Sequence, residues 1–426
     1  MSAKFPWSVE TVKNRLEAAL DKSSGNPTAE NVFIKFLETR ARSQVKTSAK
    51  GDHPLAGALI SLKALFDVKG QVTTSATRVL LNDRPADRDA VVVRRLEEAG
   101  SVFVGLTNMS EFAYSGLGLN PHYGTPQNVL YPGCAPGGST SGGAVSVALG
   151  ICDVAIGSDT GGSLRIPAAF NGIVGFKPTQ RSVPMDGGKP LSCSLDSFGP
   201  IARTVEECEL VWQVMAGHDP VAAKPQKPRL IVPTNFGFDE IDARILKGSK
   251  EVVRRLKNAG IEVLEKAVPS IDLYADVPPW HMTAVESRGC YEEHYQATPD
   301  QFDQRVLARM ALADKLSAVE YRQSLNRRAA LIKAFDEDMG DDILLLPTTP
   351  NMPPKIEDLA EDETFNKQNL LALRNTSLGN IADACSIALP YENDGLVLSA
   401  MLTARGGSDE HLLACAKSVE MTLTTK

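Results

Sequence analysis

The sequence DVAIGSDTGGS, residues 153–163, joins a short apolar run to a glycine-rich block. Residues 153–157 have the length and apolar character of a buried β-strand. Two adjacent glycines precede Ser163, and glycine lets the backbone turn sharply because it has no Cβ atom. This stretch therefore predicts a buried strand that ends in a tight loop carrying a serine.

Similar apolar runs recur along the chain and alternate with helical patterns. This alternation is typical of α/β folds, in which helices pack against a sheet. The other predicted strands are residues 58–63, 101–106, 173–176, 228–232, 261–264 and 342–346. We predict a single large α/β/α domain with a central mixed, mostly parallel twisted sheet flanked by helices.

Helices are predicted between the strands, at residues 89–100, 204–217 and 239–260. The second has Thr204 and Glu207 at capping-box spacing, and Gly217 can close its C-terminus. Residues 275–340 are largely helical in pattern and rich in Arg, Glu and aromatic residues. We predict that they form a helical elaboration near a substrate entrance. Because no linker composition divides the chain, residues 1–426 are expected to form one domain with a core at about residues 55–205.

Composition excludes several classes of function. With 43% hydrophobic and 23% charged residues, the chain has the make-up of a globular protein. The net charge of −7 argues against nucleic-acid binding, which needs a basic surface. No run approaches 18 consecutive apolar residues, and residues 1–10 lack the apolar segment of a signal peptide. We therefore expect no membrane partner and no nucleic-acid partner.

Cysteine and histidine spacing predicts neither a metal nor another cofactor. The seven cysteines are scattered and never form C-x-x-C, so a zinc finger or a disulfide framework is not expected. This usage favours a reducing, cytoplasmic location. The acidic and histidine residues between positions 281 and 294 are of types that can bind a metal, but they lack H-E-x-x-H spacing and fit a solvated helix face. They are His281, Glu286, Glu292, Glu293 and His294.

Glycine is concentrated in residues 101–200, which hold 18 of the 33 glycines. Two blocks stand out there, GGSTSGG at 137–143 and GSDTGGS at 157–163. Neither fits the phosphate loop, because no lysine follows, and neither contains the G-x-S-x-G nucleophile elbow. In the second block, successive N–H groups can converge on one oxygen and stabilise the oxyanion formed when Ser163 attacks a carbonyl. No histidine lies in either block, so a histidine base would have to come from elsewhere.

The run from Gly137 to Thr179 resembles the signature stretch of the amidase-signature hydrolases. Its elements G-G-S-x-S-G, G-S-D-T-G-G-S-x-R-x-P and G-x-K-P-T follow in the family's order, with Ser163 placed 24 positions after Ser139. Residues 58–70, 107–112 and 346–350 also resemble family segments. The likeness extends from about residue 31 to about residue 420.

The resemblance implies a role for each matching residue. Ser163 matches the acylated nucleophile, Ser139 matches a bridging serine with a cis peptide bond to Gly138, and Lys63 matches the base. The matching oxyanion-hole amides belong to Thr160, Gly161, Gly162 and Ser163. The implied reaction is hydrolysis of a small amide, with release of ammonia or an amine from an acyl-enzyme.

The substrate pocket is less well defined by the sequence. Gly138 and Tyr114 are expected to contact the substrate, although Tyr114 fits a core position equally well. Asp159 and Arg165 are expected to pair and brace the loop, with recognition of a substrate carboxylate by Arg165 as the alternative. Ala64 stands where the family usually has an aspartate after the lysine, which leaves the local support of Lys63 open.

Three functions are consistent with these observations. The favoured one is a stand-alone serine amidase whose partner is a small-molecule amide. The second is the amide-hydrolysing subunit of a glutamine-dependent tRNA amidotransferase complex. The third, a non-catalytic anion-binding protein, would not need Lys63, Ser139 and Ser163 together. The sequence leaves the substrate, a homodimer and the need for a small partner subunit open.

Overall fold

A single sheet of eleven strands forms the centre of the fold. The computed structural model of the protein describes residues 7–48 and 53–424; residues 1–6, where no signal-peptide pattern is expected, lie outside that description. The strands are β1 Phe33–Phe36, β2 Leu59–Lys63, β3 Val102–Thr107, β4 Val154–Asp159, β5 Val174–Lys177, β6 Ser197–Ala202, β7 Arg229–Pro233, β8 Glu262–Lys266, β9 Ile343–Pro347, β10 Cys385–Asn393 and β11 Leu396–Ala404.

Helices flank this sheet. The α-helices of the described residues are α1 Val12–Gly25, α2 Glu38–Ser48, α3 Val91–Glu98, α4 Ser141–Ala148, α5 Arg165–Asn171, α6 Val205–Ala216, α7 Ala243–Asn258, α8 Trp280–Ala297, α9 Gln304–Met310, α10 Ala318–Met339, α11 Asp362–Ile381 and α12 Asp409–Thr424. Across the described part of the chain, no helix is both long and apolar enough to cross a membrane.

The sheet is mixed, as predicted, but the expectation that it is mostly parallel is wrong. Its strand order is β1-β3-β2-β4-β6-β5-β10-β11-β9-β7-β8. Four neighbouring pairs are parallel and six are antiparallel. Each antiparallel pair contains β1, β6, β10 or β11, and none of these four strands was predicted.

The seven predicted strands and three predicted helices are present with small shifts at their ends. At the start of α6, Thr204 Oγ1 accepts a hydrogen bond from the Glu207 amide at 3.2 Å, and the Glu207 carboxylate accepts one from the Thr204 amide at 3.0 Å. Gly217 ends this helix with a φ of 88°. Helix α7 begins at Ala243 rather than near residue 239, because Asp242 caps it by accepting from the Arg244 amide at 2.8 Å.

The parallel pairing of β2 with β4 positions the two glycine blocks and Lys63. Ile60 pairs with Val154 and Leu62 with Ile156, so both strands end at the same edge of the sheet. Every residue of β2 is buried, which places Lys63 inside the protein at the strand's carboxyl end. The second glycine block leaves β4 at this edge, as is usual for sites in α/β sheets.

Candidate active site

Lys63 is completely buried and hydrogen-bonded to two serines. Its Nζ donates to Ser139 Oγ at 2.7 Å and to Ser158 Oγ at 2.9 Å. Burial lowers the pKa of Lys63 to about 7, although the nearby charges of Asp159 and Asp196 oppose this effect. A large share of Lys63 is therefore neutral at neutral pH, and a neutral amine can accept a proton. Ser158, which the sequence did not single out, supplies the support that the missing aspartate left open.

Ser139 lies in a tightly packed segment next to a second loop. The Gly138–Ser139 peptide bond is cis, as the family resemblance implies. The Gly138 amide donates to Gly116 O at 2.8 Å, and Ser139 O accepts from the Ser110 amide at 3.1 Å. A Cβ atom on Gly138 would lie 2.5 Å from the Gly118 nitrogen, so no side chain fits there. These contacts fix the Ser139 hydroxyl against Lys63.

Ser163 lies beside the Ser139 segment but does not share a side-chain hydrogen bond with it. The Thr140 amide donates to Ser163 O at 3.3 Å, which holds the two glycine blocks together. Ser163 is 3% exposed. Within residues 7–48 and 53–424, its hydroxyl has no hydrogen-bond partner. The structure thus joins Lys63 to Ser139 directly and leaves the Ser163 hydroxyl unengaged beside them.

The loop before Ser163 presents three amides without acceptors, rather than four. The Gly162 amide donates to Asp159 Oδ1 at 2.8 Å. The prediction that this amide is free to bind an oxyanion is therefore wrong. The amides of Thr160, Gly161 and Ser163 have no acceptor in the described part of the chain. Gly162 has a φ of 139°, and a Cβ atom there would lie 2.2 Å from Thr376 Oγ1. The loop therefore requires glycine at this position.

Arg165 stabilises the loop before Ser163 by binding Asp159. It is fully buried, and its guanidinium binds both carboxylate oxygens of Asp159 at 2.9 and 3.1 Å. Its remaining donors reach Thr376 O, Asn380 Oδ1 and the Met401 sulfur. Burial would raise the pKa of Asp159, but Arg165 holds it at about 2. With all its donors engaged, Arg165 has none left for a substrate carboxylate.

Helix α11 holds the loop from the other side. Thr376 Oγ1 and Ser377 Oγ donate to Gly161 O at 2.5 and 3.2 Å, and Asn380 Nδ2 donates to Asp159 O at 3.0 Å. The sequence did not identify these residues. Their only signal was the concentration of polar side chains at 375–380, on a helix face that the structure buries.

Tyr114 lies between the loop at 110–118 and the helical region. Its hydroxyl donates to Thr283 Oγ1 of α8 at 3.1 Å, and its carbonyl accepts from Arg309 of α9. The Tyr114 ring is 9% exposed and packs in the main apolar core. Its predicted contact with substrate, like that of Gly138, stays a prediction.

Among the histidine and glutamate residues on α8, His281 and Glu286 bind other side chains. His281 Nδ1 lies 2.6 Å from Ser324 Oγ, while Glu286 accepts from Ser192 and Tyr321. In the part of the chain that the structure describes, no group of three or more His, Cys, Asp or Glu side chains is arranged to hold a metal ion.

A buried lysine that binds a serine, beside a loop with a second serine and three amides without acceptors, has the parts that a hydrolase with a lysine base would need. The mixed α/β fold and this geometry point to the hydrolase class. Comparison with known families agrees: the Amidase family model matches residues 14–413, and the chain belongs to this family.

Known relatives cover most of the chain. A 2-amino-5-chloromuconic acid deaminase from Comamonas testosteroni is 32% identical over 381 residues, 86% of this chain and 82% of that protein. A glutamyl-tRNA(Gln) amidotransferase subunit from Carboxydothermus hydrogenoformans is 32% identical over 466 residues, 99% of this chain and 95% of that protein. A solved amidase structure superposes with a TM-score of 0.87 at 29% identity, covering 97% and 98% of the two chains. The predicted family, the hydrolysis of amide C–N bonds and the mixed α/β fold are thereby confirmed.

Proposed function

We propose that this protein hydrolyses a small amide through an acyl-enzyme on Ser163. The observation that carries the proposal is the 2.7 Å hydrogen bond between Lys63 Nζ and Ser139 Oγ, made by a lysine whose pKa is about 7. A solvated lysine would be almost wholly protonated at neutral pH and could not act as a base. Burial in β2 removes that obstacle.

The first chemical step is attack by Ser163 on the amide carbonyl. As its Oγ–carbon bond forms, its proton passes to Ser139, and the Ser139 proton passes to neutral Lys63. The negative charge that develops on the carbonyl oxygen is stabilised by the amides of Thr160, Gly161 and Ser163. In known enzymes, each such donor contributes about 3–4 kcal/mol to the transition state.

The second step breaks the C–N bond. The proton held by Lys63 returns through Ser139 to the leaving nitrogen, which departs as ammonia or an amine. Water then attacks the acyl-enzyme, with the same pair removing its proton, and Ser163 is regenerated. Protons balance in each half of the cycle, and no redox partner is needed.

A fluorophosphonate probe tests the nucleophile without knowledge of the substrate. The probe's mass should appear on the peptide that contains Ser163, and Ser163→Ala should abolish the labelling. A screen for ammonia release over small amides, ureas and aryl amides then identifies the substrate. Turnover without any labelling of Ser163 would contradict the proposal.

A second function is favoured by the similarity to an amidotransferase subunit over 99% of this chain. In that case the chain hydrolyses glutamine and passes ammonia to a partner. Ammonia release from glutamine by the purified chain alone, measured against release from simple amides, separates the two functions.

The remaining proposals concern the setting of the enzyme. We propose a cytoplasmic location, which the seven free cysteines support. We also propose that Tyr114 and Gly138 border the substrate, supported by the packing of their loops around Ser139. A homodimer stays a prediction for measurement of the mass in solution.

A further inference from the structure

Asp196 is a buried carboxylate held only by neutral donors. It is 4% exposed, and it accepts from Thr160 Oγ1 at 2.5 Å and from the amides of Leu191 and Ser192 at 2.9 and 3.0 Å. Among the described residues, no lysine, arginine or histidine forms an ion pair with it. Burial of a carboxylate without a cation costs free energy, so we expect this residue to have a specific role.

The role of Asp196 follows from its hydrogen bond to Thr160. Thr160 is the first residue after β4 and contributes the first free amide of the loop before Ser163. Each residue from 160 to 162 has its own contact: Asp196 binds the Thr160 side chain, α11 binds Gly161 O, and Asp159 binds the Gly162 amide. Of these, the bond to Asp196 is the one that fixes the orientation of Thr160.

Asp196 is also connected to Lys63 through the sheet, because its neighbour Ser197 pairs with Asp159, and Ser158, the residue before Asp159, accepts from Lys63 Nζ at 2.9 Å. Its charge opposes the effect of burial on the pKa of Lys63, as the charge of Asp159 does. Arg165 and Lys177 face Asp159 and offset its charge, whereas Asp196 faces the carboxylate of Glu286 from α8. We infer that Asp196 is a positioning residue, which fixes Thr160 in the oxyanion loop and places a negative charge next to the strand segment that binds Lys63. This inference rests on the proposed function.

The helical region is connected to the loop through the same segment. Glu286 Oε2 accepts from Ser192 Oγ at 2.6 Å and from the Ser194 amide at 2.9 Å, and Glu286 Oε1 accepts from Tyr321 of α10 at 2.7 Å. Helices α8 and α10 thereby anchor the residues on either side of Cys193, immediately before Asp196. Asp196 is the point at which this region meets the oxyanion loop.

The experiment measures the rate at which a fluorophosphonate labels Ser163 across the pH range, in the full-length protein. Asp196→Asn is compared with Asp409→Asn, a matched control. Asp409 is also buried and also binds one threonine, accepting from the Thr179 amide at 2.8 Å and from Thr179 Oγ1 at 2.6 Å, but that threonine is not part of the loop before Ser163.

In Asp196→Asn, we expect the rise of the labelling rate to move to lower pH, because removal of the negative charge favours neutral Lys63. The maximal rate should fall on the order of tenfold, because the asparagine carbonyl oxygen takes the Leu191 and Ser192 amides and its NH2 group then faces Thr160 Oγ1. The charged acceptor that Thr160 donates to is lost, and its hydroxyl must turn to accept a weaker bond. Asp409→Asn should leave the position of the rise unchanged. A rise at the wild-type pH in Asp196→Asn overturns the inference.

Thr160→Val and Thr160→Ser test positioning without a change of charge at residue 196. Valine keeps the shape and removes the hydroxyl, so the rate should fall; serine keeps the hydroxyl and should retain most of it. Equal rates in the two variants overturn the positioning role, even if Asp196→Asn does not fold. If the wild-type protein is not labelled on Ser163 at all, it is the proposed function that fails.

Discussion

Replacement of Lys63 is the sharpest test of the proposed relay. With a pKa of about 7, roughly a tenth of Lys63 is neutral at pH 6 and nine tenths at pH 8, so the wild-type kcat/KM should rise about tenfold over this interval. An ordinary lysine would be only about 0.04% neutral at pH 7. Lys63→Met should lose a factor of about 100 to 10,000 in activity, the usual contribution of a general base.

The same replacement should not destabilise the protein. A downward shift from 10.5 to about 7 corresponds to about 5 kcal/mol of unfavourable free energy for the folded state at and below neutral pH. Loss of the hydrogen bonds to Ser139 and Ser158 costs about 1.5–3 kcal/mol each, or about 3–6 kcal/mol together, and so cancels that gain. We expect Lys63→Met to be about as stable as wild type at pH 6–7. The penalty in the wild-type protein is complete below the folded pKa and disappears as the pH rises toward the unfolded value, so the variant's relative stability should decline over that range.

The assay combines labelling of Ser163 or ammonia release from pH 5 to 9 with thermal unfolding at each pH. Lys63→Arg is the control, because guanidinium keeps the charge and cannot deprotonate in this range. A Lys63→Met protein that retains the wild-type rate and the same pH profile would refute the relay.

Three further predictions follow from the loop and its supports. Gly162→Ala should lose activity and at least 1–3 kcal/mol of stability, about the cost of a strained backbone position. Gly289→Ala is the control and should lose neither, because Gly289 has an ordinary φ and open space where a Cβ atom would lie. Thermal unfolding and labelling of Ser163 compare the two variants, and a fully active Gly162→Ala would contradict the packing described for the loop. Arg165→Met should destabilise the fold by about 3–5 kcal/mol in urea denaturation, since it leaves the buried Asp159 carboxylate without its cation. A raised KM with unchanged stability would favour carboxylate recognition instead. Treatment with a chelator should leave activity unchanged, and recovery of lost activity by added zinc would contradict this expectation.

Six of the seven predicted strands have at least one parallel neighbour, the exception being β5, whereas the four missed strands have only antiparallel neighbours. Pro200 lies within β6 and Pro390 within β10, and an internal proline normally argues against a central strand. Strand β11 is rich in leucine, alanine and methionine, which favour helix, and β1 has only four residues. Tertiary pairing overrides these local preferences, so the direction of most neighbours in the sheet could not be inferred.

The candidate site was predictable where glycine marks it and unpredictable where side chains from distant segments complete it. The two glycine blocks and Lys63 belong to recognisable motifs. By contrast, Ser377 meets Gly161 across 216 positions, and Asp196 meets Thr160 across 36. Each is an ordinary polar residue until the fold buries it. The engagement of the Gly162 amide depends on the direction of the Asp159 carboxylate, which no spacing rule specifies.

The place of β10 and β11 in the sheet has a consequence for how the protein is made. All described strands up to residue 202 lie on one side of this hairpin and those from 229 to 347 on the other. During synthesis, both halves leave the ribosome before the hairpin that joins them, so β5 and β9 emerge with edges that have no pairing partner. Such edges can pair with other chains. The nascent enzyme is therefore most exposed to aggregation just before its last two strands appear, and chaperone binding at that stage would protect it.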